Sequence, residues 1–538
     1  MINIPTSEAT ASGKEDQAVA IAAGVTDLRL KFPGEERFVF KDLTFHVQRG
    51  EKVLLLGPSG SGKSTLLQVL SGIIPSLVEV PMRCKEQVQP SAWGFVFQDP
   101  DTQFCMPYVD EELAFVLENL AVPQQEMQER MATVLQAVGL HLPERHVLIE
   151  SLSQGMKQRL ALASILLTDP QVLFLDEPSA LLDPEGRVQI WDTVKQISKD
   201  RTLVIVEHRI EEIVTFVDRV VLFGPDGRCL GQGTPREVFS MYQSELVEFG
   251  IWYPGVWEHF FASPEGDELL KPLPVLPLPE AAPSDLAPLL ELSCFRGLRL
   301  GRPVIEVEHA VIAPGDFITI TGPNGAGKSS LLLSLMGLLP SEGTYLLQGK
   351  RMNDHHGGKN KWWRSRKKQI IEAASHISFV FQNPEFQFVA EQVAEEIAFS
   401  LRQEKWPEEA ISRHVQEALL TFGLEGLDQR HPYQLSLGQK RRLSVAGAAV
   451  LNKSVLLLDE PTFGQDAVNT FAILQVCEQL RRQGTAIVMV THEEMIADKL
   501  ATQRWEVREG RISSLMLTKR GKQMKELKDR ALGEEGER

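Results

Sequence analysis

Short, wholly apolar runs recur along the chain and alternate with longer stretches of helical periodicity. VLLLG at Val53, VLFLDE at Val172 and LVIVEH at Leu203 read as buried strands, and VLLLDE at Val455 and AIVMVTH at Ala486 read the same way. Between them, stretches such as EMQERMATVLQAVG at Glu126 place apolar residues at helical spacing. Alternation of buried strands with helices predicts an α/β fold with a largely parallel core sheet.

The pattern occurs twice. GPSGSGKSTLL at Gly57–Leu67 returns as GPNGAGKSSLL at Gly322–Leu332, FVFQDPDTQF at Phe95 as FVFQNPEFQF at Phe379, and LFLDEPSALLD at Leu173 as LLLDEPTFGQD at Leu456. Spacings repeat with the words: Ser153 to Glu177 and Ser436 to Glu460 are both 24 positions, and Gln98 to Ser153 and Gln382 to Ser436 are 55 and 54. Two copies of one domain are expected, at 22–246 and 288–517. A flexible N-terminus, 1–21, precedes them, and a Pro-rich linker, 247–287, joins them. In that linker Trp252, Tyr253 and Trp257 suggest that its first part packs on a domain. The charged tail, 518–538, is expected to fray. The copies differ most between Lys63 and Gln98, 35 positions, and Lys328 and Gln382, 54 positions. The extra basic stretch, 350–369, reads as a solvated surface loop.

Composition narrows the class. With 43% apolar and 24% charged residues the chain is an ordinary folded protein. Its net charge of -16 would repel a phosphate backbone, which argues against nucleic acid as the main partner. The 5 cysteines form no CxxC pair, so neither a disulfide framework nor a zinc cluster is expected, and a reducing cytoplasm suits them. The first residues lack a signal-peptide core and no later run is long enough to span a bilayer, so any membrane role is expected to act through a partner.

The candidate chemistry is phosphate chemistry. GxxxxGK[ST] follows an apolar strand and precedes a helix in both copies. The first comprises Gly57, Pro58, Ser59, Gly60, Ser61, Gly62, Lys63, Ser64 and Thr65; the second, Gly322, Pro323, Asn324, Gly325, Ala326, Gly327, Lys328, Ser329 and Ser330. Such a loop curls backbone N–H groups around phosphates, its lysine reaches the β and γ phosphates, and Ser64 or Ser329 can bind Mg²⁺. Asp176 and Glu177, like Asp459 and Glu460, end apolar strands where the first carboxylate suits Mg²⁺ and the second can act as general base. His208 and His492 each close a further strand.

Together these motifs resemble two ATP-binding-cassette ATPase domains fused in tandem, each a P-loop NTPase fold with a core sheet and a helical signature subdomain. The resemblance implies ATP and Mg²⁺ as ligands. It identifies LSQGM at Leu152 and LSLGQ at Leu435 as signature loops, with Ser153, Gly155, Ser436 and Gly438 as nucleotide contacts, although Gln154, Met156 and Leu437 depart from the usual LSGGQ. It further implies that Gln98 and Gln382 sense Mg²⁺ and water, that Asp183 and Asp466 are D-loops, and that His208 and His492 contact the γ phosphate. It also implies that Phe32 and Phe295 stack on adenine, with core packing as the other reading, and that each ATP is shared between the phosphate loop of one copy and the signature of the other. FQDPDTQF and FQNPEFQF, each followed by EELAF or EEIAF, are similar to energy-coupling-factor importer subunits for vitamins and transition-metal ions. That resemblance implies a transmembrane coupling partner, a separate membrane substrate-binding subunit and a place at the cytoplasmic face of the membrane. Phe104 and Phe388, which follow the glutamine loops, are then candidates for contact with the coupling helices. A fused sugar-importer subunit and a soluble twin-cassette translation factor are the alternatives; the first typically has one degenerate site, and neither catalytic set here is broken.

Overall fold

The computed structural model describes residues 20–35, 37–180, 182–271, 288–353 and 359–524, with the side chains of 359–365 left aside. The residues divide into two compact units, one built on the first copy through 243, the other on 181–188 and the chain from 244 onward. Among the described residues no helix is long and apolar enough to cross a membrane.

In the first unit the core sheet has strand order Cys229–Gly233, Arg219–Phe223, Lys52–Leu56, Thr202–Val206, Val172–Asp176, Trp93–Val96, parallel throughout except for the first of these. Val172–Asp176 and Thr202–Val206 are buried along their whole length, which is why they read as unbroken apolar runs rather than alternating ones. A second, antiparallel sheet pairs Ile21–Leu30 with Phe40–Gln48 and with two short strands. Its inner face packs on the phosphate-loop helix Lys63–Ser71 through Val25, Leu28, Phe40 and Phe45.

The second unit repeats this plan. Phe317–Thr321 pairs in parallel with Ala486–Val490 and Gln503–Arg508, and Val455–Asp459 lies between Ala486–Val490 and Ile377–Val380. Its antiparallel strands Leu290–Arg299, Arg302–Ile312 and Ser341–Leu347 join the same sheet through one parallel bridge, Glu306 to Arg511.

Three segments differ from the expectations. Of the basic insertion, Lys350–Arg351 is a short strand, 354–358 lie outside the described residues, and the part from Lys359 belongs to a helix, Lys359–His376, rather than a loop. Gln369 and Ala373 are buried and Arg366 donates to the carbonyls of Gly337 and Leu338. Spacing of three and four positions puts Arg366, Gln369 and Ala373 on one helix face, which meets the turn at Gly337 and Leu338, and a charge count alone does not reveal this. Of the expected linker, the described part to 271 packs on the second unit through buried Trp252, Tyr253 and Trp257, as those aromatics suggested, but it is helical in Gln243–Glu248, Val256–Ala262 and Pro264–Leu270 rather than extended. Residues 272–287 lie outside the described residues, as do 1–19 of the expected flexible N-terminus. The described start of the tail, 519–524, is helical rather than frayed, and 525–538 lie outside the described residues.

Aromatic packing holds the post-cassette helices in place. Phe260 stacks on Phe471 with ring centroids 3.7 Å apart, and Trp257 meets the same ring edge-on at 5.2 Å. Trp252, 1% exposed, donates its indole N–H to the carbonyl of Gln465 at 2.8 Å, while Ala467 donates its backbone N–H to Gly250 at 2.8 Å. These contacts tie the segment to the D-loop and to helix Ala467–Arg482. At the other end of that helix, buried Glu478 accepts from Arg481 at 2.7 Å and from Arg520 at 2.8 Å, and Arg520 also donates to the carbonyl of Leu269. One buried carboxylate therefore orders both the helical segment and the beginning of the tail, since an arginine can be buried only with its donors satisfied.

Trp252→Ala removes the more deeply buried of the two tryptophans in this cluster together with its hydrogen bond. It should destabilise the second unit by about 3–5 kcal/mol, read as a lower urea midpoint. A midpoint equal to wild type would show that the cluster does not hold the segment.

Candidate active sites

Each site forms where parallel strands end at one level. In the first unit Leu55 and Asp176 both pair with Val206, so the phosphate loop, the acidic pair and His208 emerge side by side. Ile320, Asp459 and Val490 stand in the same register in the second.

The phosphate loops need their glycines. A Cβ on Gly62, φ 89°, would lie 2.6 Å from Val39 Cγ1, and one on Gly322, φ 139°, would lie 2.1 Å from the carbonyl oxygen of Val507. Lys63 Nζ donates to the carbonyls of Gly57 at 2.7 Å and Pro58 at 2.9 Å, and Lys328 to Gly322 and Pro323 at the same distances. Burial pushes Lys63 down to about 8, against the pull of Glu177 and Asp176, and lowers Lys328 in the same direction. Both loops thus hold a largely dehydrated cation beside the positive end of a helix, an arrangement that favours phosphate.

The acids are equally alike. Ser64 Oγ donates to Asp176 Oδ1 at 2.9 Å, and Ser329 Oγ to Asp459 Oδ1 at 3.1 Å. Burial raises both aspartates to about 6. A buried carboxylate joined to a hydroxyl, with a glutamine amide nearby, is a set of hard oxygen donors, and it fits Mg²⁺. Ser64, Asp176 and Gln98 would hold it in the first site and Ser329, Asp459 and Gln382 in the second, and it would neutralise charge on the β and γ phosphates.

Glu177 and Glu460 have left-handed backbones, φ 48° and 50°. The backbone N–H of each donates to the strand beside it, at Val206 and Val490. For a non-glycine residue this conformation costs on the order of 1–3 kcal/mol, and it persists because it turns the carboxylate out of the strand toward its partners. Glu177 accepts from Gln98 Nε2 at 2.8 Å and contacts His208 Nε2 at 3.0 Å. Glu460 does the same with Gln382 and His492, both at 3.2 Å. Burial works against ionisation of Glu177, but His208 and Lys63 outweigh it and hold the carboxyl below its usual range; His492 and Lys328 do so for Glu460, with Arg441. An ionised acid held by a histidine beside a phosphate loop can take a proton from water.

The structure brings together Lys63, Ser64, Gln98, Asp176, Glu177 and His208 in one site and their counterparts in the other. Phe32 is half-buried against the antiparallel sheet. Phe295 is a correction: it is fully buried, edge-on to Tyr345 at 6.0 Å, and its ring is not available to a base. Alternation from Leu290 and Leu292 alone would turn Phe295 outward; the register break between Ser293 and Arg296, where Cys294 has φ 46°, turns it into the core. The signature residues belong to separate helices. Ser153 caps Gln154–Leu166 by accepting from the N–H of Met156 at 3.4 Å. Ser436 forms a full capping box with Gln439 on Leu437–Ala449, which Met156 cannot match in the first copy.

Two residues near the sites carry no role in the motifs: Arg441 follows the second signature loop, and Glu207 opens EHRIEEI, which resembles the importer group's histidine loop. Arg441, 3% exposed, donates to the carbonyl of Gln382, and burial lowers it to about 10; Gln158 stands in its place in the first copy. Glu207, 2% exposed, precedes His208, and Thr491 is its counterpart. Aligning the two copies against each other would have shown both differences.

Phosphate loop, acidic pair, glutamine loop and switch histidine, set at the ends of a parallel sheet and present twice, define a tandem P-loop ATPase of the ATP-binding-cassette class. The family described as "ABC transporter" matches residues 40–180 and 309–463, and the chain belongs to it. It is 34% identical to the "Putative HMP/thiamine import ATP-binding protein YkoD" of Bacillus subtilis (strain 168), covering 89% of this chain and 88% of that one. A "Putative ABC transporter ATP-binding protein" of Methanosarcina acetivorans is 32% identical over 89% of this chain and 83% of its own length. Among solved structures, an RNase-L inhibitor covers 92% of this chain and 91% of its own with TM-score 0.60; at 19% identity that likeness concerns the fold alone. The chain is an ATP-binding subunit and an ATPase.

Glu207 offers a measurable pH effect. Burial, reinforced by the charge of Glu177, pushes its carboxyl up to about 7 from an ordinary 4.5, against the hydrogen bonds from Ser179 and the His208 backbone. The native state therefore holds this proton more tightly than the unfolded chain. Stability from this group is fully present below pH 4.5 and is lost as pH rises through 7. Glu207→Gln, neutral throughout, should stabilise the nucleotide-free protein by roughly 2–3 kcal/mol at pH 8. That advantage should vanish in urea unfolding at pH 4; an equal advantage at both pH values would refute the assignment.

Proposed function

We propose that this chain energises an energy-coupling-factor importer, with Mg²⁺-dependent hydrolysis at both sites driving uptake of a vitamin, a vitamin precursor or a transition-metal ion. The observation that carries the reading is how each glutamine loop is built. In EELAF the second acid, Glu112, is buried and accepts the backbone N–H groups of Cys105 and Met106, both at 2.9 Å. In EEIAF, Glu396 accepts those of Val389 and Ala390, both at 2.8 Å. A loop that begins at the nucleotide-sensing glutamine is thus held rigidly at its far end, where it can meet a partner.

In the second copy that loop exposes Phe386 and Val389, 76% and 63% accessible, whereas Phe388 is half-buried against Tyr433. Apolar side chains this accessible, on a rim of polar residues, suit a transmembrane partner's coupling helix. They are better contact residues than Phe104 and Phe388, both only half-exposed. The relative named for HMP/thiamine import supports a vitamin-related substrate, which a separate membrane subunit would bind. Such a subunit places the chain at the cytoplasmic face of the membrane, held there through its partners.

Lys63→Ala combined with Lys328→Ala should lower ATP turnover by at least 100-fold, on the order expected from losing the main cationic contact with the transferring phosphate. Turnover of that double variant close to wild type would defeat the site assignment. Phe386→Asp with Val389→Asp changes only accessible side chains, so folding and ATP hydrolysis by the purified protein should persist while co-purification with membranes carrying its partner is lost. Retention on those membranes would mean that the contact surface lies elsewhere.

A further inference from the structure

The first site contains a device that the second lacks. Ser179, two residues beyond Glu177 and 1% exposed, donates its hydroxyl to Glu207 Oε2 at 2.7 Å. The other oxygen, Oε1, accepts the backbone N–H of His208 at 2.9 Å and of Arg209 at 3.4 Å. One carboxylate therefore spans two loops, gripping the turn after the general base with one oxygen and the start of the switch loop with the other.

A buried carboxylate is an expensive way to join two loops, and the second copy shows that the fold does not need it. There Thr462 and Thr491 occupy the matching positions, both buried, and Thr491 Oγ1 accepts from the backbone N–H of Glu493. Strands, register and the histidine-to-glutamate contact are the same in both copies, at 3.0 Å in the first and 3.2 Å in the second. What differs is the rigidity of the connection: a threonine hydroxyl satisfies its own loop, whereas Glu207 ties its loop to the neighbouring turn.

We propose that Glu207 is a positioning residue of the first site, locking the switch loop that carries His208 to the turn that carries Glu177 and so setting the contact between them. This rests on the reading of Glu177 and His208 as hydrolytic groups. The groups that face Glu207 are Ser179 and Glu177 from the turn and His208 and Arg209 from its own loop, with Lys63 behind His208. A glutamine can reproduce the lock, since its amide oxygen accepts from the backbone and its amide nitrogen donates to Ser179. A threonine cannot reach.

The test is steady-state ATP turnover of the full chain, scaled to the loss caused by Glu177→Gln. Glu207→Thr, which installs the second copy's residue, should lose at least half as much turnover as Glu177→Gln with KM for ATP within twofold of wild type. Glu207→Gln should recover most of it. Ser179→Ala, which cuts the same bond from the other side, should lower turnover in the same direction and provides the test if Glu207→Thr folds poorly. Wild-type turnover in Glu207→Thr or Ser179→Ala, alongside a clear loss in Glu177→Gln, would overturn the proposal and leave the site assignment standing. So would a Glu207→Gln variant as slow as Glu207→Thr. If Glu177→Gln itself hydrolysed ATP normally, the reading of the first site would fail and the lock with it.

Discussion

Parallel pairing of the strands that end at Leu56, Asp176 and Val206, matched by those at Thr321, Asp459 and Val490, is the constraint from which the rest of each cassette follows. Parallel strands share a direction, so the residues following them emerge along one edge of the sheet, and register decides which of them are neighbours. Since these strands are buried on both faces, slipping by one residue would not expose them, but it would separate Ser64 from Asp176 and His208 from Glu177. The polar contacts at the strand ends therefore specify register where the apolar strands alone do not. The left-handed backbone at Glu177 and Glu460 is the local strain that this arrangement sustains, held by a hydrogen bond to the adjacent strand in both copies.

The catalytic groups were legible in the chain because phosphate binding leaves a linear signature. A tight glycine loop, a lysine and a hydroxyl must be contiguous, and the acid pair must close an apolar run, so spacing alone nearly determines the site. Glutamine-loop and histidine contacts follow, because each lies at the end of its own strand. Phe295 was misplaced because an aromatic in a strand points into the core or away from it according to register, and the bulges that set register leave little trace in sequence. The insertion was expected as a loop because its charges outnumber its apolar residues, yet a helix needs only a narrow buried stripe, here Gln369 and Ala373 with half-buried Arg366 beside them. The helices after the first cassette were hidden by composition in another way. Prolines dominate only the later part of that stretch, whereas its ordered part is fixed by tertiary contacts of Trp252, Trp257 and Phe260 with Phe471 and the D-loop.

Duplication makes the two copies controls for each other. Where residues agree between them, as in the lysine, serine, aspartate, glutamate, glutamine and histidine, the geometry agrees to within a few tenths of an ångström. Four differences lie in or beside the loops that carry these groups. Gln158 faces Arg441 in the alignment, Met156 faces Gln439, Thr102 faces Phe386 and Glu207 faces Thr491.

Each of these exchanges changes a different physical quantity. Arg441 adds a buried positive charge near Asp459 and Glu460 that Gln158 does not supply near Asp176 and Glu177, so the second site holds the more favourable field for a phosphate. Gln439 closes a capping box on its signature helix, whereas the Met156 helix keeps one cap bond and frays more readily at the end that the resemblance assigns to nucleotide contact. Phe386 makes the second glutamine loop apolar where Thr102 leaves the first polar, so the two loops offer unlike surfaces. Glu207 adds a tie between the two loops of the first site. With the same reacting groups in both, stronger phosphate attraction in one site and a stiffer switch in the other would let binding and hydrolysis be weighted differently between two halves of one chain. A single chain fixes the ratio of the two halves at one to one and keeps each at a high effective concentration for the other.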